Sequence, residues 1–230
     1  MRAIFTLFFA AACQWYVSPA TAIIDIRSST ESQLDFSLLI HQNNLLLKNA
    51  DYALDTDILG LGLQVIDVPP NLPIEIGFGG GYAFIDQQTL PGFNNASMGG
   101  LYFSLMARTK LFATKSWSSE LVFAYEYLRA DKSSEAQKSR LRWNHFTAEA
   151  SLNYFLTHYL SFRLSAVAGL LDAKLTGSGE TNASVSLDTD DQFAVGFGVN
   201  YHVTEQQKLA VIVQQGYYDR LVIQFQRTFD

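Results

Sequence analysis

From about residue 34 onward, large apolar side chains alternate with small or polar ones. Between Ile74 and Phe84, one parity holds Ile74, Ile76, Phe78, Tyr82 and Phe84; the other holds Glu75, Gly77, Gly79, Gly81 and Ala83. Successive side chains of a strand point to opposite faces, so this stretch has one greasy face and one small or charged face. The same pattern recurs around Leu101, Leu121, Phe146, Leu160, Phe193 and Leu221. The alternating runs reach 9–12 residues or more. Strands of soluble proteins average about 5–6 residues, whereas a tilted strand crosses a bilayer in about 9–11. Length therefore says more than alternation does.

The runs predict ten strands, at 34–47, 53–66, 73–86, 97–112, 117–129, 141–156, 159–172, 191–202, 208–217 and 219–229. Asn43 and Asn44 interrupt the first, and the hairpin around Gly216 to Asp219 is tight where neighbouring loops are long. Short connections (Val68 to Asn71, Thr114 to Ser116, Thr157-His158, Val203 to Gln207) alternate with longer polar ones (Gln87 to Ala96, Ala130 to Ser139, Asp172 to Asp190). Short turns at one end and long loops at the other describe a bacterial outer-membrane barrel. The expected fold is all-β: a closed, antiparallel, up-and-down transmembrane β-barrel of about ten strands, with eight or twelve also fitting.

Composition narrows the picture. Of 230 residues, 48% are hydrophobic and only 17% charged, which excludes a disordered chain. The net charge of −6 argues against a nucleic-acid binder. A single cysteine excludes a disulfide framework or a multi-cysteine metal site. No apolar run is long enough for a spanning helix. Residues 1–22 read as a cleaved secretory signal: Arg2, an apolar stretch from Ala3 to Cys13, and Ala20-Thr21-Ala22 as the small-x-small cut. Residues 23–33 then form a short periplasmic segment, and 34–230 the barrel.

The lumen face carries Glu75, Arg108, Lys110, Glu120, Glu126, Glu149 and Arg163. Unpaired buried charge is costly, so these predict a salt-bridged polar network filling the interior. Ten strands leave little room for water. Inward glycines at 60, 62, 77, 79, 81, 196 and 198 either ease curvature or make room for long Arg and Glu side chains. His145, Thr147, Glu149 and Ser151 share one inward face, but neighbours two apart along a strand lie about 6.8 Å from each other, too far for a direct hydrogen bond between hydrolytic partners unless other strands contribute. His41, His158 and His202 lack metal-ligand spacing and are expected at surface or turn positions. No catalytic residue, metal or cofactor is predicted. Aromatics fall in two groups near the strand ends: Tyr82, Phe84, Tyr125 and Tyr127 on the outer side, Phe112, Trp117, Tyr154, Phe155, Tyr159, Tyr201 and Phe229 on the other. They fit interfacial girdles. Asp55, Asp57, Asp188, Asp190 and Asp191 gather near the outer rim as solvated loop carboxylates, with divalent-cation bridging to lipopolysaccharide as the rarer alternative.

The closing sequence Leu221-Val222-Ile223-Gln224-Phe225-Gln226-Arg227-Thr228-Phe229-Asp230 resembles the terminal strand of Gram-negative outer-membrane proteins, although its aromatic is penultimate rather than last. The chain as a whole is most similar to the solitary autotransporter-type β-barrel family, or to small barrels of the outer-membrane protein A and W type. The resemblance implies an outer-membrane location and export through the periplasm. It implies a barrel-assembly signal at Tyr217, Leu221, Ile223, Phe225 and Phe229, with the assembly machinery, outer-membrane lipid and lipopolysaccharide as partners. The role it suggests is structural or surface interaction, with a narrow channel for ions or small hydrophobic solutes, or a rim-sited hydrolase, as alternatives.

Overall fold

A computed structural model describes residues 33–229, apart from positions 70, 71, 91, 92, 94, 135, 181 and 190. The expected signal and most of the segment after it lie outside the described residues. Eleven strands follow in order: β1 (Gln33–Lys48), β2 (Ala53–Val68), β3 (Ile74–Gln87), β4 (Met98–Ala113), β5 (Trp117–Ser133), β6 (Gln137–Phe155), β7 (Leu160–Gly179), β8 (Ala183–Asp188), β9 (Phe193–Thr204), β10 (Gln207–Gly216) and β11 (Asp219–Phe229). Every pairing is antiparallel. β11 pairs with β1 from Leu34↔Phe229 to Asn44↔Asp219 and closes a ring of ten strands, β1–β7 and β9–β11. Closure leaves the ten-strand ring without an open edge along the span that β11 shares with β1, the condition for burying a sheet in lipid.

β8 is the strand that the sequence reading placed in a loop. It lies along the outer half of β7, from Asp172↔Asp188 to Gly177↔Ala183, and touches β1 at Lys48↔Asp188. There it occupies the gap above the shorter β9–β11. The tight β10–β11 turn is thereby explained: Tyr217 and Tyr218 at its tip are buried. A second correction concerns Ala130 to Ser139, expected as a polar loop. β5 runs on to Ser133, and β6 begins at Gln137.

Both corrections have one physical cause. The strands keep their parity but exchange the polarity of their faces part-way up. In the lower part, apolar residues point outward (Leu61, Phe78, Phe123, Leu164, Phe197) and polar ones inward. Higher up, Arg129, Arg142, Asp172 and Lys174 are exposed on the outer face, while Leu128, Leu141, Trp143, Leu171 and Leu175 fill the interior. The first arrangement suits a bilayer and the second suits water. A polar stretch above the lipid therefore reads as loop by composition and as strand by alternation. Asn43 and Asn44 are accommodated in the same way: Asn43 is buried in the lumen, and Asn44 Nδ2 donates to Asp57 Oδ1 at 2.8 Å on the wet outer face.

Candidate functional site

The interior divides into three levels. At the lowest, near the short turns and both described ends of the chain, charged groups interlock. Glu75 and Arg108 are register partners on β3 and β4 and form an ion pair. Arg108 also reaches Asp35 of β1 at 3.7 Å, across the lumen. Asp35 is buried and accepts hydrogen bonds from Gln226 Nε2 and Thr228 Oγ1, each at 2.6 Å. Opposite, Arg163 of β7 bridges Glu149 of β6 at 2.9 Å and Glu120 of β5 at 3.2 Å. Lys110 lies 3.8 Å from Glu75 and is half-exposed at the mouth. Lys208 of β10 faces the field of the same groups. Six of the seven expected lumen charges thus fall in two ion-paired groups, Glu75–Arg108–Lys110 and Glu120–Glu149–Arg163. Asp35 and Lys208 join this level through their inward parity, a signal already present in the sequence.

Glu126, the seventh, lies a level higher, in register with His145. Around them stand His41, Tyr102, Tyr217, Tyr218 and Arg220. His145 Nε2 lies 2.7 Å from Tyr217 Oη, His41 packs edge-on against Tyr102, and the Tyr217 and Tyr218 rings meet at 4.3 Å. His41 is therefore a buried lumen residue rather than a surface one, because it shares the parity of Asp35 and Ser37 on β1. The glycines explain the fit. A Cβ at Gly60 would strike the His41 ring, one at Gly62 the Tyr102 hydroxyl, and one at Gly169 the Tyr217 hydroxyl. At these positions the missing side chains make room for rings, not for the Arg and Glu stems expected.

The third level is apolar. Leu45, Leu47, Leu54, Ile58, Ile85, Leu128, Leu141, Leu175 and Leu187 form one core with Trp143, and none exceeds 4% exposure. It lies in the lumen above the histidine–tyrosine level, its side chains buried as in the core of a soluble protein. Among the described residues no group of three or more His, Cys, Asp or Glu could hold a metal ion.

Of the residues assigned to the assembly signal, Leu221, Ile223, Phe225 and Phe229 line up outward on β11, and Phe229 meets Phe36 edge-on at 5.3 Å. Tyr217 departs from them, since it is turned into the lumen. The aromatics expected near the short-turn end include Trp117 and Tyr154, paired at 4.6 Å; those of the outer group include Tyr82 and Phe84, paired at 4.9 Å. The described carboxylates Asp55 and Asp57 face outward on β2 above the apolar belt; Asp190 lies outside the described residues.

No protein-family model matches the chain, and no curated protein matches it in sequence. Solved structures do match in fold. The translocator domain of the autotransporter NalP from Neisseria meningitidis aligns at 10% identity and a TM-score of 0.51, over 96% of this chain and 97% of that one. The β domain of the Bordetella autotransporter BrkA aligns at 10% identity and 0.52, over 86% and 100%. The outer-membrane protease OmpT of Escherichia coli aligns at 12% identity and 0.50, over 86% and 96%. The fold is that of the Gram-negative outer-membrane β-barrels. With its closed ring and outward apolar belt, the chain is an integral outer-membrane β-barrel protein.

Proposed function

We propose that the barrel is a closed scaffold: it conducts nothing, and it serves the cell surface through the polar wall and loops that stand above the lipid. The observation that supports this reading is the apolar core across the outer third of the lumen. A solute path would have to cross it, and below it lie two levels of charged and aromatic side chains held by direct contacts. The same geometry weighs against hydrolysis at the histidine–tyrosine level. His145 and Tyr217 are close enough for proton transfer, with Glu126 in register beside His145, but the core separates them from any substrate outside, and a general base must reach the proton it abstracts. A direct test is conductance in planar bilayers. The purified barrel is expected to give no discrete current steps. Regular steps from a preparation free of other porins would refute the closed scaffold and favour the narrow-channel alternative.

A further inference from the structure

The outward wall of β5, β6 and β7 above the apolar belt is basic, although the chain as a whole carries a net charge of −6. Arg129, Arg142 and Lys174 stand side by side in one cross-strand row, through the pairs Arg129↔Arg142 and Arg142↔Lys174. Arg140 and Lys138 follow on the same face of β6. The carboxylates on this face are Asp131, gripped by Arg129 at 3.2 Å and Arg140 at 2.5 Å, and Asp172, opposite Asn144, with Asp188 beside it. Arg142 and Lys174 are exposed and form no ion pair among the described residues. Like charges directly opposite each other weaken a sheet, so such a row is stabilised by an anion laid across it.

Directly below on the same strands is an open apolar recess of about 690 Å³. Leu105, Tyr125, Phe146 and Leu170 form one cross-strand row of its lining, and Ala107, Phe123, Ala148 and Ala168 the next row down. The alanines leave a low floor between bulky neighbours. Four residues along a strand separate Phe146 from Arg142. At a 3.4 Å rise and a tilt of about 40°, that is roughly 10 Å of depth, the offset between a lipid's phosphate and the upper part of its chains.

We propose that this wall binds a phosphorylated, multiply acylated glycolipid of the outer leaflet, the lipid A portion of lipopolysaccharide. Its phosphates lie on Arg129, Arg142 and Lys174, and one acyl chain lies over Ala148 and Ala168. The site rests on the membrane placement but not on the closure of the lumen, which the conductance measurement tests separately.

The test uses the whole barrel in detergent micelles, with diphosphoryl lipid A, its dephosphorylated form and sodium phosphate as probes. Heat-modifiable gel migration confirms that each variant is folded. Diphosphoryl lipid A is expected to bind the unaltered protein at least tenfold more tightly than Arg142→Glu/Lys174→Glu, and more tightly than the dephosphorylated lipid. Should the charge-reversed barrel fail to fold, Arg142→Gln/Lys174→Gln carries the same comparison. Ala148→Phe is expected to weaken lipid A several-fold while leaving any effect of inorganic phosphate unchanged. Equal affinity in the charge variants, equal binding of the dephosphorylated lipid, or indifference to Ala148→Phe would each overturn the proposal. Sodium phosphate saturating the row as tightly as the lipid would reduce it to a free-anion site and overturn it as well.

Discussion

Arg163 shows how a single side chain holds the lower lumen together. Its guanidinium, 15% exposed, serves both Glu120 and Glu149. Removing it would leave two neighbouring carboxylates without their cation, and breaking a buried pair from one side costs about 3–5 kcal/mol. Arg163→Ala is therefore expected to lower the urea midpoint of the refolded barrel by about 3 kcal/mol equivalent, whereas a variant that also carries Glu120→Gln and Glu149→Gln should recover most of it. An unchanged midpoint in the single variant would mean that water already screens the cluster. Asp131, on the wet outer wall, behaves differently. Burial alone would raise its carboxyl, but hydrogen bonds from Arg140 and Arg129 outweigh that and hold it below the ordinary value. A lowered carboxyl contributes stability above its unfolded value and loses it as pH falls through the folded one. Asp131→Asn should thus destabilise slightly at neutral pH, by under about 1 kcal/mol as for exposed pairs, and make no difference in strong acid. Comparing melting curves of the two proteins across that range checks the sign.

At the scale of elements, β8 decides how the outer end is closed. Leu187 points from it into the apolar core at 2% exposure, opposite Ala173, and Asn49 Nδ2 donates to the Ser186 carbonyl at 3.2 Å to tie it to the β1–β2 turn. A charge at Leu187 has no partner there. Leu187→Asp is expected to free the β8 hairpin for protease cleavage on intact cells while the ten-strand ring persists; resistance equal to the unaltered protein would show that the hairpin is held elsewhere. β8 also marks the limit of what the sequence discloses. The ten strands of the ring and the two faces of each followed from alternation, because parity survives any local change of environment. The upper reaches of β5 to β7 did not, because their Lys, Arg, Ser and Asp content resembles a loop. The inward series Leu141, Trp143 and Leu171, Ala173, Leu175 held the missing signal. The seven lumen charges were likewise legible as inward-facing, but His41, Asp35, Lys208 and Arg220 needed the inward parity of β1, β10 and β11 to be followed as closely as that of the middle strands. Which level each inward residue occupies depends on strand tilt and register, which one sequence does not display.

At the scale of the molecule, two amphipathic schemes are stacked on one set of strands: grease outward and charge inward below, charge outward and grease inward above. The lower scheme makes the chain a resident of the membrane, and the upper makes its exterior part resemble a small water-soluble barrel. The two share every hydrogen-bonded ladder from β1 to β7, so a rigid wall runs from bilayer to surface without a hinge at the boundary.

That continuity sets a toll on biogenesis. Arg129, Lys138, Arg140, Arg142 and Lys174 stand above the apolar belt, at the strand ends away from both described chain ends, so insertion from the side of those chain ends carries all five through the hydrocarbon. At about 2–4 kcal/mol per cation at the midplane, an unassisted crossing faces a barrier of order 10–20 kcal/mol, steep enough that spontaneous insertion should slow sharply as vesicles thicken. Refolding rates in short-chain and long-chain phosphatidylcholine vesicles should diverge, and neutralising Arg142 and Lys174 should narrow the gap; rates that ignore acyl length would mean that the strands deliver their outer ends by another route.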